Sequence, residues 1–549
     1  MSGRSDAPIS DSARRWTLVA MTLANSMILV DQTAVPLAVP DLIQDLGGQL
    51  DEGPWILTAN ILPLAALVVL GGRLGDLLGL RRVFLAGAAI FVCSSALVGF
   101  SQDTIMAIAA RALQGCGAAL MMPTALAIVS SVYTGPDRGR ALGILAGASA
   151  FFAACGPVLG GVLTSVDWRL VFLINVPIAI VTILMTLRSV PELAPLPGAT
   201  RDIDYPGVIT FGLGMALIVF GLTQGSGESD WTQPAVVGAL AGAVLSLTAF
   251  VVIEHRVANP LIEFRLLRHL NFLAAMISQV LAGMVELGMG FLLPAYLLLV
   301  VGVSPEVAGL MLIPSTLPII LAGPLSGRAF DRMGGRAPLV FGFVVLALSG
   351  LALGLAAPEQ SFATLIPGLV LQGIGLGVVL TVNDPTGLTA VPEKDQGQGA
   401  GMINTAEQMG GALGIAVLTA VLLGYYWGRI EERIESLGYG KVTQGEMQQG
   451  RDFILQVEQE GRKTVEESGE VPEKIRYVLN DIVDLHAQAY EVTFFAAGGI
   501  ALLGAIACFL LVRKTDRIQG GPVFTRRSRW LYATSGRGPA ITKRPDPGR

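Results

Sequence analysis

Five ionisable side chains sit inside long apolar stretches of this chain: Asp31, Arg111, Glu286, Asp384 and Glu407. On insertion scales a charge at the centre of a bilayer costs about 2.5 to 3.5 kcal/mol, so each of these residues is either paired or used. A carboxyl group held away from water is able to take up and release a proton near neutral pH. That is the chemistry a proton-coupled carrier needs, with uptake in one orientation and release in the other. Asp31 is the first candidate for that role and Glu286 the second; for either, a bond to a neighbouring helix is the structural alternative. Arg111 keeps its proton, so its role is electrostatic: it steadies a nearby acid, exchanges partners with one, or simply pins its own span through an ion pair. The corresponding position in the second half of the chain is Leu369, which concentrates proton coupling in the first half. Asp384 and Glu407 are candidate lining for a cavity that takes cationic solutes.

The notion of halves comes from a repeat. In GGRLGDLLGLRRVF, Gly72, Asp76, Gly79 and Arg81 are followed by Arg82, and the same spacing returns 255 residues later in SGRAFDRMGGRAPL as Gly327, Asp331, Gly334 and Arg336. Leu113 to Gly117 returns at Leu371 to Gly375, and Asp137 with Gly139 returns as Asp395 with Gly397, both shifted by 258. A charged, ordered pattern recurring at one offset within membrane-spanning sequence points to two similar helical bundles facing one another. The glycines of the repeated loop permit close backbone approach, Asp76 is able to meet a helix N-terminus or an arginine, and Arg81 and Arg82 anchor to partners or headgroups. Such contacts form a latch between the bundles that holds on one side of the membrane and parts when that side opens.

The elements that must position these residues are helices. The chain has 549 residues, is 52% hydrophobic and 14% charged, and has a mean hydropathy of +0.62. A soluble chain carries about 25% charged residues. Runs of roughly 20 apolar residues suffice to cross a hydrocarbon core as helices, and the short alternating segments of a β-barrel are absent. Spans are expected near 16–40, 54–72, 83–101, 104–133, 139–165, 169–188, 206–223, 234–254, 271–301, 306–328, 337–357, 362–389, 398–424 and 491–513. The first is too long for a signal peptide, contains Asp31 and lacks a small-residue cleavage site, so it reads as a retained span. Basic residues recur in alternate connections, from Arg14 and Arg15 through Arg81, Arg82, Arg138 and Arg140 to Lys394, while the intervening connections carry acids and Arg169 alone departs from the rule. The positive-inside rule then puts both termini in the cytoplasm.

The expected fold is an all-α polytopic membrane protein of two six-helix bundles plus two additional helices. Residues 1–200 form the first bundle, 201–259 two linking helices, 260–424 the first five helices of the second bundle, 425–490 an extracytoplasmic polar loop with helix-like stretches at Met447 to Glu467 and Glu473 to Tyr490, 491–515 the last helix and 516–549 a basic cytoplasmic tail. Net charge is −5, which gives no sign of a nucleic-acid partner. The four cysteines lie in apolar runs without metal-ligand or disulfide spacing, and the three histidines, His255, His269 and His486, all fall in connections. With no GxxxxGK[ST] loop either, ATP-driven pumping, metal chemistry and hydrolysis lack their residues, so no enzyme, cofactor or metal is expected.

These residues resemble the major facilitator superfamily, and within it the fourteen-span drug:proton antiporter branch. GGRLGDLLGLRRVF is similar to the family's loop between spans two and three, RALQGCGAALMMP at 111–123 to its span-four motif, and CGPVLGGVL at 155–163 to its span-five antiporter motif. LVDQTAVPLAVPDL at 29–42 resembles the branch's span-one motif, and DWRLVFLINVPIAI and NPLIEFRLL match further hallmarks. Pro36 stands where that motif usually has Asn, Phe152 replaces an expected Gly, and Asn60 takes a position where the branch often has Tyr. The resemblance implies an antiport role for Gly156, Pro157, Gly160 and Gly161, whose small size also suits helix packing, and places Asn60 and Gln114 with Asp384 and Glu407 at the substrate cavity.

The expectation is a proton-driven exporter of amphipathic or cationic small molecules in a bacterial cytoplasmic membrane, multi-pass and functional as a monomer, whose partners are protons, solute and lipid. An exporter of one endogenous metabolite or lipid uses the same fold. A non-transporting receptor or scaffold is a further reading.

Overall fold

Within hydrocarbon every backbone N–H and C=O must be satisfied inside the protein, and a helix does so within one segment. The computed structural model describes residues 10–48, 52–133, 136–192, 204–227, 231–257, 260, 264–391, 396–436 and 482–513, and among them all regular structure is helical. The first half contains α1 (Asp11–Asp45), α2 (Gly53–Leu78), α3 (Leu80–Gly99), α4 (Thr104–Val132), α5 (Pro136–Thr164), α6 (Arg169–Leu173) and α7 (Asn175–Ser189). Two helices follow, α8 (Tyr205–Gly227) and α9 (Pro234–Glu254). The second half contains α10 (Leu270–Leu299), α11 (Pro305–Met311), α12 (Ile313–Met333), α13 (Arg336–Ala356), α14 (Phe362–Leu388), α15 (Gln396–Ser436) and α16 (Ile482–Leu511). Caps mark the starts: Ser10 accepts from the Ala13 N–H at 3.2 Å and Asp103 from the Met106 N–H at 2.7 Å, each satisfying a donor left over in a first turn.

Thirteen stretches among the described residues are long and apolar enough to span a membrane, and the apolar part of α2, Gly53–Val68, is shorter. Two expected spans are each built from two helices, α6 with α7 and α11 with α12. The expected polar loop at 425–490 is narrower than the sequence suggested, because α15 runs on to Ser436 and α16 already begins at Ile482. Their polar ends extend helices whose apolar parts alone were visible to hydropathy. The helical stretch expected at Met447 to Glu467, Asp395 of the repeat and the tail after Arg513 lie outside the described residues.

The repeat is written into the backbone. Among the described residues the glycines with positive φ are Gly47 (67°) and Gly302 (72°), and Gly79 (99°) and Gly334 (77°), two pairs each 255 residues apart. Gly79 and Gly334 end α2 and α12 within the repeated loop, in conformations essentially closed to residues with a Cβ. Packing repeats as well. A Cβ on Gly115 would stand 2.9 Å from the carbonyl carbon of Asn60, and one on Gly373 2.9 Å from that of Ser315. Likewise a Cβ on Gly117 would stand 2.8 Å from the Gly87 carbonyl oxygen, and one on Gly375 3.0 Å from that of Gly342. Small residues let the backbones of α2, α3 and α4, and of α12, α13 and α14, touch directly.

The end where α1 begins is here the proximal end, and the other the distal end. At the distal end the halves meet through α5 and α11: Gly161 packs on the backbone of Pro305 and Glu306, and Gly309 on that of Pro157 and Val158. Along one side, α8 packs against α2 and α15 together, with Phe211 and Met215 buried in a cluster that includes Ala66, Met409 and Leu413. Trp55 of α2 lies 6.2 Å from Phe220 of α8.

Candidate functional site

Asp31 lies midway along α1 and turns into the first half, where α4 supplies its counter-ion. Arg111 Nη1 stands 2.6 Å from Asp31 Oδ2, and each side chain is 1% exposed. The other carboxylate oxygen, Oδ1, accepts from Gln114 Nε2 at 3.0 Å and Asn175 Nδ2 at 3.0 Å. Arg111 Nη1 also donates to Gln114 Oε1 at 2.6 Å, and its Nε to the Ile56 carbonyl at 3.0 Å. Ser95 of α3 completes the group: its Oγ accepts from Asn175 at 3.1 Å and Gln114 at 3.3 Å, while its hydroxyl donates to the Phe172 carbonyl at 2.9 Å. The guanidinium lies over the Phe172 ring, 5.7 Å from its centroid. A buried charge pair is tolerable when further hydrogen bonds support it, and here both carboxylate oxygens and the guanidinium Nε and Nη1 are bonded. Asn60 and Gln114, expected as cavity lining, are instead buried beside this pair: Gln114 bonds both its members, and Asn60 Nδ2 donates to the Arg111 carbonyl at 3.4 Å.

Asn175 and Ser95 are members that the sequence reading missed. Asn175 had a signal, as an amide inside an apolar run immediately before the Val-Pro of DWRLVFLINVPIAI. Ser95 had none, since small hydroxyl residues serve helix packing throughout such chains.

The second half is arranged otherwise. Glu407 of α15 lies within electrostatic reach of Glu286 of α10 and of Asp384 of α14. Gln279 Nε2 donates to Glu407 Oε2 at 2.6 Å, Gln279 Oε1 accepts from Asn383 Nδ2, and Asn383 Oδ1 in turn accepts from Ser278. Glu286 Oε2 is buried without a hydrogen-bond partner, and Asp384 is exposed. Among the described residues none of the three acids pairs with a lysine or arginine. Asp31 and Glu286 therefore have different surroundings, Asp31 being enclosed within its own half. Between the halves, Gln32 Nε2 donates to Gln408 Oε1 at 3.4 Å, each amide being the chain neighbour of an acid.

The glycines of the span-five motif sit where α5 meets α1 and α11. A Cβ on Gly156 would lie 2.8 Å from Thr33 Cβ, and one on Gly160 2.8 Å from Ala34 Cα, so both positions exclude a larger residue. Gly161 and the Pro157 carbonyl belong to the distal contact with α11. Three basic residues of the repeated loop meet partners in their own halves: Arg81 Nη2 donates to the Leu187 carbonyl at 2.6 Å, Arg82 approaches Glu192 at 4.0 Å, and Arg336 lies 4.6 Å over the Phe509 ring. Gly72 packs on Pro123, Gly327 faces open space, Asp331 is exposed, and the side chain of Asp76 lies outside what is described.

Paired helical halves with ionisable groups in an apolar interior define a membrane transporter. Residues 21–415 match the model of the Major Facilitator Superfamily, and the chain belongs to that family. Membership makes it a carrier of small molecules across a membrane rather than an enzyme. The chain is 33% identical over 425 residues to puromycin resistance protein pur8 of Streptomyces alboniger, covering 75% of this chain and 83% of that one. It is 29% identical over 525 residues to the tetracenomycin C resistance and export protein of Streptomyces glaucescens, covering 95% and 96% respectively. Its fold resembles a crystal structure of a bacterial homologue of the human lysosomal transporter Spinster, in an inward-facing, occupied conformation, with a TM-score of 0.64 at 16% identity over 93% of this chain and 100% of that one.

Proposed function

We propose that this protein is a proton-coupled antiporter that exports amphipathic or cationic small molecules across the bacterial plasma membrane by alternating access, both termini being cytoplasmic. The observation that carries the reading is the pair of acidic centres in the apolar interior, the Asp31–Arg111 pair in one half and Glu286 with Glu407 and Asp384 in the other. Protons and solute compete for these acids, so a proton entering down its gradient displaces a cation outward. Asp31 with Arg111 serves as the proton switch and Glu286 as a second proton site, while Glu407 and Asp384 face the solute. The proton needs no cofactor, and one chain carries both centres, so the monomer is the working unit.

Alternating access draws support from the two ends. Contacts between halves at the distal end, through α5 and α11, coexist with contacts of Arg81 and Arg336 inside their own halves. On the orientation proposed, this is a state sealed outside with its cytoplasmic latch parted. Names of antibiotic resistance and export proteins among the relatives support export as the direction. They equally favour a second reading, in which the protein exports one endogenous product instead of many compounds.

The test is proton exchange in everted vesicles. Adding puromycin, tetraphenylphosphonium or an antibiotic panel to energised vesicles is expected to release protons from the lumen with wild type and not with Asp31→Asn. Solute extrusion that persists after the proton gradient is collapsed would sink the reading, and a response to a single compound would select the narrower one.

A further inference from the structure

The surroundings of Asp31 have a property beyond the ion pair, whose functional meaning rests on the antiport reading. Every group that touches its carboxylate is a donor: Arg111 on Oδ2, Gln114 and Asn175 on Oδ1. The orientation of the two amides is not free, because Ser95 fixes it. Its hydroxyl proton is committed to the Phe172 carbonyl, so its remaining lone pairs demand N–H from both Asn175 and Gln114. Each amide nitrogen thereby bridges Ser95 and Asp31. The Gln114 carbonyl oxygen is occupied by Arg111, and so is the Ile56 carbonyl.

We infer that Ser95 and Asn175 are positioning residues that build a donor-only cage around Asp31, so that protonating Asp31 breaks hydrogen bonds tying α1 to α4 and α7. A protonated carboxyl carries an O–H that must find an acceptor. The acceptors shown around the carboxylate, Gln114 Oε1, Ser95 Oγ and the Ile56 carbonyl, already receive N–H groups, and a buried O–H facing an N–H is left both unsatisfied and repelled. A proton arriving from water therefore forms its bond to one carboxylate oxygen only as at least one donor leaves it. The departing donors sit on other helices, and loading of the acid becomes movement of α1 against them. Arg111 keeps its charge throughout and is the only charged group brought against Asp31 by the described contacts. Around it α2 presents Asn60 and the Ile56 carbonyl, α3 Ser95 and α7 Asn175, while α10, which also packs on α1, carries Glu286.

The test reads protonation and transport separately, on the full-length protein. Infrared difference spectra follow the carboxyl band that Asp31→Asn removes, as a function of pH, and tetraphenylphosphonium export in proteoliposomes follows the pH profile of transport. Ser95→Ala frees the amides to turn an oxygen toward Asp31, and Asn175→Leu deletes one donor. Both are expected to move the midpoint of the band and of export alkaline by about one pH unit, with Ser95→Thr keeping the wild-type midpoint. Fewer protons exchanged per solute are expected in both shifted variants. Unchanged midpoints in Ser95→Ala and Asn175→Leu, each melting like wild type, overturn the cage. A shifted band in a protein whose export ignores the proton gradient supports the cage and overturns the antiport reading instead.

Discussion

At Asp31 the first half closes two carboxylate oxygens with three donors, one of them a guanidinium; at Glu286, 255 residues on, the second half leaves Oε2 without a hydrogen bond. The surrounding frame is the same. Gln372 stands at the counterpart of Gln114 but its amide oxygen is unpartnered, and Leu369, buried, stands at the counterpart of Arg111. Positive-φ glycines and glycine-to-carbonyl contacts repeat between the halves while the charges do not. Backbone geometry is thus what both halves require to cross the membrane and touch one another. Electrostatics is free to diverge: one half encloses its acid with donors and a counter-ion, while none of the three acids of the other pairs with a lysine or arginine among the described residues.

Removing the arginine breaks the contrast most severely. Arg111→Met leaves a buried carboxylate without its counter-ion, a loss of about 3 to 5 kcal/mol, and the expected result is a lower melting temperature with export lost in a dye-efflux assay. Adding Asp31→Asn is expected to restore the melting temperature and not the proton dependence. The converse substitution, Leu369→Arg, gives the second half a cation at the counterpart of Arg111, the position that the repeat sets against Glu286. Export of tetraphenylphosphonium is expected to fall by about a hundredfold as the acids acquire a permanent partner. Glu286→Gln and Glu407→Gln sharpen the assignment within the second half. Each is expected to lower export by about tenfold, equivalent to about 1.36 kcal/mol, with Glu407→Gln acting mainly through a raised KM for cations and Glu286→Gln through the pH profile.

The shared frame predicts smaller and matched effects. Gly79→Ala and Gly334→Ala each force a Cβ into a glycine conformation, costing about 1 to 3 kcal/mol, so similar drops in melting temperature are expected from the two halves while export per folded molecule stays near wild type. Asp45→Ala, at the exposed distal pair with Arg169 at 2.6 Å, is expected to change stability by less than about 1 kcal/mol. An unequal response of the two glycines in the same melting assay would show that the repeat is no longer equivalent in energy.

Hydropathy and the offset of 255 made the helices, the halves and the turn glycines legible in the sequence, because a membrane span and a positive φ each leave few residue choices. The intrahelical acids were legible for the same reason. What they touch was not. Whether Asp31 faces the solute or Arg111 depends on the rotation of α1 against α4, and α1 is apolar on nearly every side, so no amphipathic stripe announces that rotation. Gln114 reads as cavity lining until its partner is known, and Ser95 reads as packing until the carbonyl of Phe172 is found beside it. The polar end of α15 escaped for another reason: outside the hydrocarbon a helix needs no apolar run.

Helix α8 packs on α2 from one half and α15 from the other, and it has no counterpart in the repeat. Any change in the angle between the halves shears its apolar seat, where Phe211 and Met215 lie among side chains from both neighbours. Flexible Met409 and Met215 are suited to such sliding, since an unbranched thioether refills gaps that branched side chains leave empty. The inserted hairpin is in this sense a bearing as well as a connector, and the smoothness of that surface bears on how fast the carrier turns over.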